Sequence, residues 1–285
     1  MPKEDFEVII IDDMSTEDLS KAFAPFIGKL NIRHVRIDHT KHPIYSEMNP
    51  SGSNFLHSQW YHTPALALNI GMRKAVGDVL MFSQPEIIVN ENSLNAGYMG
   101  AKKGNFVFGD VVLASIRFNT WLFDSQLGQK ARQTSTKFIL EEFESMHKNA
   151  FSDTGYKFND TEMYWFVAFL DRSTALAVGG VDEEYLRGVY AEDDNFRVRI
   201  KYAGVPSVRD YEIRAIHLNH DHEGKQGNVK QQRDGQFWQN GAAKNRDRYS
   251  EWLQRGPDVG VLANQGKDWG SDSCVVLEKN YALSI

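Results

Sequence analysis

The chain opens on an apolar run, Phe6-Glu7-Val8-Ile9-Ile10-Ile11, that is continuous rather than alternating. That is the pattern of a strand buried on both faces. The run ends at Asp12-Asp13, after which Ser15 or Thr16 is placed to cap a helix. Leu19, Ala22, Phe23, Phe26, Ile27 and Leu30 recur there at helical spacing. A short strand follows at Arg33 to Ile37, and residues 38–60, rich in Pro, Ser, Asn and His, read as a loop. Pro64 opens a helix that runs to Ala75 and ends near Gly77, and a third apolar strand spans Val79 to Phe82. The order β-α-β-α-β predicts a parallel sheet covered by helices.

The middle of the chain is less regular. Phe106 to Ile116 reads as strands, Thr134 to Lys148 as a helix with a charged face, and Met163 to Leu170 as an apolar run. Gly179-Gly180 marks a turn, and Glu192 to Tyr202 reads as a helix with Phe196 and Ile200 on one face. The last sixty or so residues are polar, with Phe237, Trp238, Tyr249 and Trp252 as apolar anchors. The expected organisation is one domain over 1–285. It divides into a nucleotide-sugar-binding half at 1–110, an acceptor and catalytic half at 111–222, and a carboxyl-terminal extension at 223–285.

Composition narrows the class. The apolar fraction of 41% suffices for a sizeable core, and a lone cysteine, Cys274, excludes an intrachain disulfide framework. A net charge of −6 argues against nucleic acid as the main partner, because a phosphate-backbone binder presents a basic face. The longest apolar runs are too short to span a bilayer, and the first residues carry no secretory pattern. A cytoplasmic protein is expected.

Four constellations carry candidate chemistry. Asp12-Asp13 ends a strand at the edge where open α/β sheets collect ligands; the same residues also suit a helix-capping turn. Glu86, in Gln84-Pro-Glu86 after another strand, suits a hard divalent cation or an ordinary polar turn. Glu192-Asp193-Asp194 crowds three acids at a helix start, as a general base or as caps favoured by the helix dipole. His217-Leu-Asn-His220-Asp-His222 suits either metal binding or surface histidines.

The order of these groups resembles the GT-A glycosyltransferases, in particular the inverting family 2 and its galactosyltransferase-like relatives. Glu7-Val-Ile-Ile-Ile-Asp-Asp-Met-Ser-Thr is similar to the family's EVIIVDDGST strand. Asn69-Ile-Gly71-Met-Arg-Lys-Ala75-Val-Gly77-Asp78-Val-Leu-Met-Phe82 is similar to NxGxxxAxGDxLxF. Gly179-Gly-Val-Asp-Glu-Glu-Tyr185 followed by Glu192-Asp-Asp-Asn-Phe-Arg-Val-Arg199 resembles GGFDExF…EDxDFxxR, and Ile213-Arg-Ala-Ile-His217 resembles a late strand ending in a metal-binding histidine.

The resemblance implies a Rossmann-like, mostly parallel sheet flanked by helices. It implies a hexose transferred from a UDP-sugar to a hydroxyl of a glycan or small-molecule acceptor, with inversion. Asp12, Asp13, Asn69, Arg73, Gln84 and Lys225 would face the nucleotide. Glu86, His217 and Gln84 would hold Mn2+ or Mg2+. Asp193, with Glu192 beside it, would act as base, and Gly179, Gly180 and Asp194 would line the acceptor. The segment from Asn219 to Asn228 is expected to form a lid over donor and metal. The sequence departs from the family where its DxD motif reads Gln84-Pro-Glu86, where Leu68 replaces an arginine, and where the family's first strand has no counterpart. An N-terminally shortened domain follows, whose exposed edge strand the carboxyl-terminal segment or a second subunit would cover. A retaining enzyme of the same class, or a degenerate domain that binds a nucleotide sugar or a glycan as a scaffold, are the competing readings.

Overall fold

The computed structural model describes residues 1–48, 64–114, 156–157, 166–218, 236–256 and 260–282. In chain order its elements are β1 (Val8–Asp13), α1 (Ser20–Phe23), β2 (Ile32–Ile37), α2 (Pro43–Met48), α3 (Ala65–Lys74), β3 (Val79–Ser83) and β4 (Ile87–Val89). They continue with α4 (Ser93–Lys102), β5 (Phe106–Leu113), β6 (Tyr156–Lys157), β7 (Val167–Asp171), α5 (Arg172–Ala177), α6 (Glu192–Tyr202), β8 (Ser207–His217), α7 (Gln236–Arg255) and β9 (Val275–Tyr281).

These elements form two compact units. The first contains the three-stranded sheet β1-β2-β9 with α3, α5, α6 and α7. β1 and β2 are parallel, Val8 opposite Ile32, and β9 closes the far side of β2 antiparallel. The sheet's interior comes from β2, whose Ile32, Val35 and Ile37 are at most 2% exposed. α3 presents Ala65, Leu66, Asn69, Ile70 and Met72 as its buried face and ends on Arg73 and Lys74, the charge sign that suits a helix carboxyl terminus.

The second unit is a six-stranded mixed sheet in the order β3-β7-β5-β8-β4, with β6 paired to β5. β3 and β7, β7 and β5, and β8 and β4 are antiparallel; β5 and β8 are parallel. α4 packs on this sheet through two glycines. A Cβ at Gly97 would stand 2.3 Å from the Phe169 ring, and one at Gly100 2.7 Å from Val107. Only glycine permits so close an approach.

The architecture corrects the expectation of a mostly parallel, Rossmann-like GT-A sheet flanked by helices. Among the described residues each sheet holds a single parallel pair, and β3 joins a different sheet from β1 and β2. The physical reason lies in burial. Val8 to Ile11 are only half-buried, and β3 alternates, with Leu80 and Phe82 inside. A short apolar run states that a strand exists, not the direction of its neighbour. The helix expected from Leu19 to Leu30 is reduced to the four residues of α1 and a 3-10 turn at Ala24–Phe26, because Pro25 and the left-handed Gly28 interrupt it. Ser15 and Thr16 do not cap it; the Asp18 carboxylate accepts from Ser20 N at 3.1 Å. α7 and β9 arise in the last sixty or so residues, which read as polar with a few aromatic anchors. The helix expected at 134–148 lies outside the described residues.

Candidate functional site

In the second unit, β4 and β8 bring Glu86 and His217 together. Ile87 pairs with His217, and the backbone N–H of Leu218 donates to the Glu86 carbonyl at 2.9 Å. His217 is 4% exposed, and its ring packs edge-on against Phe166 with centroids 4.6 Å apart. Its Nδ1 lies 2.9 Å from the Leu218 carbonyl, which can only accept, so Nδ1 carries the proton. Nε2 is thereby turned toward Glu86 Oε1, 3.6 Å away. A backbone carbonyl fixing one ring nitrogen while the other faces a carboxylate is the arrangement that orients a metal-ligating histidine. Gln84 opens the tight turn before β4, in which Ile87 N donates to the Gln84 carbonyl at 3.2 Å. Among the described residues no three His, Cys, Asp or Glu side chains converge as a complete metal cage.

In the first unit, α6 starts on three acids. Tyr190 and Ala191, at φ 73° and 69°, turn the chain through left-handed backbone to present them, a conformation non-glycine residues adopt rarely. Glu192 is 9% exposed, and burial, reinforced by the charge of Asp193, raises its pKa. Asp193 is raised as well, by burial first and by Asp194 next. Asp193 Oδ1 accepts from Asp194 N at 2.8 Å, and Asp194 pairs with Arg197 at 3.1 Å. A carboxylate whose proton affinity is raised is a stronger base than an exposed aspartate.

Asp12 and Asp13 end β1 as expected, but both are engaged within the fold. Asp12 is 2% exposed; burial opposes its ionisation, yet hydrogen bonds from Ser15 and His34 and the charge of Arg36 hold its pKa below the usual range. Asp13 Oδ1 lies 2.8 Å from His39 Nδ1.

Asn69, Gly179 and Gly180 belong to a buried polar hub. The Asn69 amide clasps the backbone of Val181, donating to its carbonyl at 2.9 Å and accepting from its N–H at 2.8 Å. Glu183 Oε1 accepts from Asn69 and from Gly270 N, at 2.9 and 2.7 Å, and Oε2 lies 3.0 Å from His42 Nε2. Arg199 donates to the carbonyls of Val178 and Gly180, and Asn264 to those of Gly179 and Val181. Both glycines are left-handed, and a Cβ at Gly179 would stand 2.3 Å from the Ala263 carbonyl oxygen. Arg73 lies over the Trp269 ring and pairs with Asp268 at 3.0 Å.

Sequence reasoning did not single out Glu183, His34, His39, His42, Arg199 or Asn264. Arg199 reaches the Gly180 carbonyl 19 residues away and Glu183 reaches His42 141 residues away, and no local pattern marks such pairings. Lys225, the expected lid at 219–228, His220 and His222 lie outside the described residues. No described helix is long and apolar enough to cross a membrane. No protein-family model matches the chain, and no curated protein matches it.

Proposed function

We propose that the chain is a glycosyltransferase that moves a hexose from a UDP-sugar to an acceptor hydroxyl, with Mn2+ or Mg2+ as cofactor. The observation that carries this reading is the convergence of His217 Nε2 and Glu86 Oε1, with the histidine held in the tautomer a metal ligand needs. An imidazole nitrogen and a carboxylate oxygen suit Mn2+, and with Gln84 nearby in sequence they leave positions for diphosphate oxygens. When bound, the cation supplies Lewis-acid stabilisation of the charge that builds on the departing diphosphate.

The chain's own residues do the rest. Asp193 accepts the acceptor's proton, its basicity raised by burial and by the charge of Asp194. Attack from the face opposite the leaving nucleotide inverts the anomeric carbon. The charge of Asp194 beside Asp193 favours its protonated form after transfer. The motif resemblance over roughly residues 5–222 supports the same assignment.

A screen of UDP-sugars for metal-dependent UDP release tests the proposal. Release by the wild-type chain that disappears in Glu86→Ala and Asp193→Ala is expected. UDP release that survives both substitutions, or no UDP-sugar turned over at all, counts against it.

A further inference from the structure

The turn between α1 and β2 leaves an apolar tip in solvent. Phe26 is 47% exposed and Ile27 42%, and Ala22, Ala24 and Pro25 beside them are exposed as well. The fold holds this tip in shape. Phe23, 6% exposed, packs its ring against His34 at 5.3 Å and Tyr281 at 5.4 Å, which fastens α1 to β2 and β9. Gly28, left-handed at φ 75°, reverses the chain, and the N–H groups of Lys29 and Leu30 donate to the Phe26 carbonyl at 2.9 and 3.0 Å. An isolated β-bridge joins Ile27 to Leu30. The turn leads directly into β2, and Val8 N donates to the Asn31 carbonyl at 2.8 Å. The tip therefore stands at the start of β1 and β2, the end opposite Asp12 and Asp13.

A lone exposed hydrophobe is ordinary on a protein surface. Two bulky neighbours at one apex are different. The turn's hydrogen bonds and the anchoring of Phe23 hold both side chains outward, where water meets them at a cost that a partner removes. The charges choose the partner. Lys21 and Lys29, both exposed, bracket the tip, and no acid stands between Leu19 and Asn31. Glu17 and Asp18 lie before α1, where Asp18 accepts from Ser20 and feels the charges of Lys21 and Lys279. Apolar side chains at an apex with lysines at its rim complement a surface that is negative outside and hydrocarbon within, the leaflet of an anionic bilayer. An apolar pocket on a protein partner would call for no bracket of cations.

We propose that the turn at 22–27 is a peripheral membrane-docking tip, with Phe26 and Ile27 inserted at the acyl boundary of an anionic leaflet and Lys21 and Lys29 against its phosphates. Two side chains and two charges give a weak, reversible attachment that lies on the bilayer and does not span it. The end of β1 that bears Asp12 and Asp13 is then the end remote from the lipid. The inference is independent of the transferase reading.

Flotation of the full chain with lipid vesicles tests this, using phosphatidylcholine alone and phosphatidylcholine mixed with phosphatidylglycerol. Binding to the mixed vesicles is expected, weaker on phosphatidylcholine and weakened by salt. Phe26→Ser combined with Ile27→Ser lowers the partition coefficient about tenfold or more and changes Tm little, since both side chains already face solvent. Lys21→Glu combined with Lys29→Glu lowers it by about the same factor on the mixed vesicles and leaves the residual binding to phosphatidylcholine unchanged. No binding to the mixed vesicles, or binding that survives the substitutions at Phe26 and Ile27, overturns the proposal. Mass photometry without lipid closes the other route. A wild-type dimer that the same double substitution returns to monomer assigns the tip to a second copy and overturns docking to lipid.

Discussion

His217 turns Nε2 toward Glu86 Oε1 at 3.6 Å while its Nδ1 is held by the Leu218 carbonyl, so two residues 131 positions apart share one strand pair. Their register is set by backbone: Ile87 opposite His217, with Leu218 N bonded to the Glu86 carbonyl. Two side chains set by paired strands keep their spacing better than two on loops.

The base assignment predicts a pH profile. Because Asp193 must be ionised to accept a proton and its pKa is raised by burial and by Asp194, kcat rises with pH through a midpoint above the ordinary aspartate value of 3.8. Asp193→Asn lowers kcat by about 10^2 to 10^4-fold with little change in thermal stability. A steady-state pH series on both proteins checks this, and a flat acid limb in the wild type refutes it.

Glu192 makes a stability prediction of the opposite sign from most carboxylates. Its folded pKa is raised, so the closed packing around it is most stable below the ordinary glutamate value of 4.5, and stability is lost as pH rises from there through the raised value. The groups it faces are Asp193 and Asp194, with Arg197 and Tyr249 close to those acids. Glu192→Gln therefore stabilises the fold at pH 8 by about 1 kcal/mol or more and has little effect at pH 4. Thermal melts at the two pH values decide it.

Glu184 shows the ordinary sign. Its pKa is lowered to about 2; burial opposes this, but hydrogen bonds from Lys267, Arg187 and Arg248 prevail. The stability it contributes is present above the unfolded value of 4.5 and is lost as pH falls toward 2. Glu184→Gln costs about 1–2 kcal/mol at pH 7, a figure kept low because the three cations reach solvent, and the cost vanishes in urea melts near pH 2.

Much of this was legible in the chain before any coordinates. The acids at 192–194 form the first turn of a helix whose bounds, Glu192 to Tyr202, are those the apolar spacing predicts, and Asp12-Asp13 end a strand as expected. The meeting of Glu86 with His217 was readable only through the motif resemblance, because nothing local joins a turn after β3 to the end of β8. Sheet direction was not legible: Val8 to Ile11 carry the same apolar run whether the neighbour is parallel or antiparallel. Helix α7 was missed because its residues, from Gln236 to Arg255, are mostly polar and the helix relies on a few aromatic contacts to dock.

The buried hub around Asn69 explains why two glycines in succession stand at 179 and 180. Gly180 is left-handed at φ 67°, and a Cβ there would stand 2.5 Å from Asn69 Oδ1 and 2.6 Å from the Trp269 ring. Gly180→Ala is expected to destabilise the chain by about 3 kcal/mol or more through strain and overpacking together. Urea denaturation measures it, and a loss below about 1 kcal/mol would show that the hub yields.

The most direct measurement is Mn2+ affinity, followed by electron paramagnetic resonance with and without UDP, in the wild type, Glu86→Gln and His217→Ala. The account predicts that UDP tightens Mn2+ binding to the wild type and that each substitution weakens the ternary complex at least tenfold while the fold is retained. Equal Mn2+ affinity in all three proteins would contradict it.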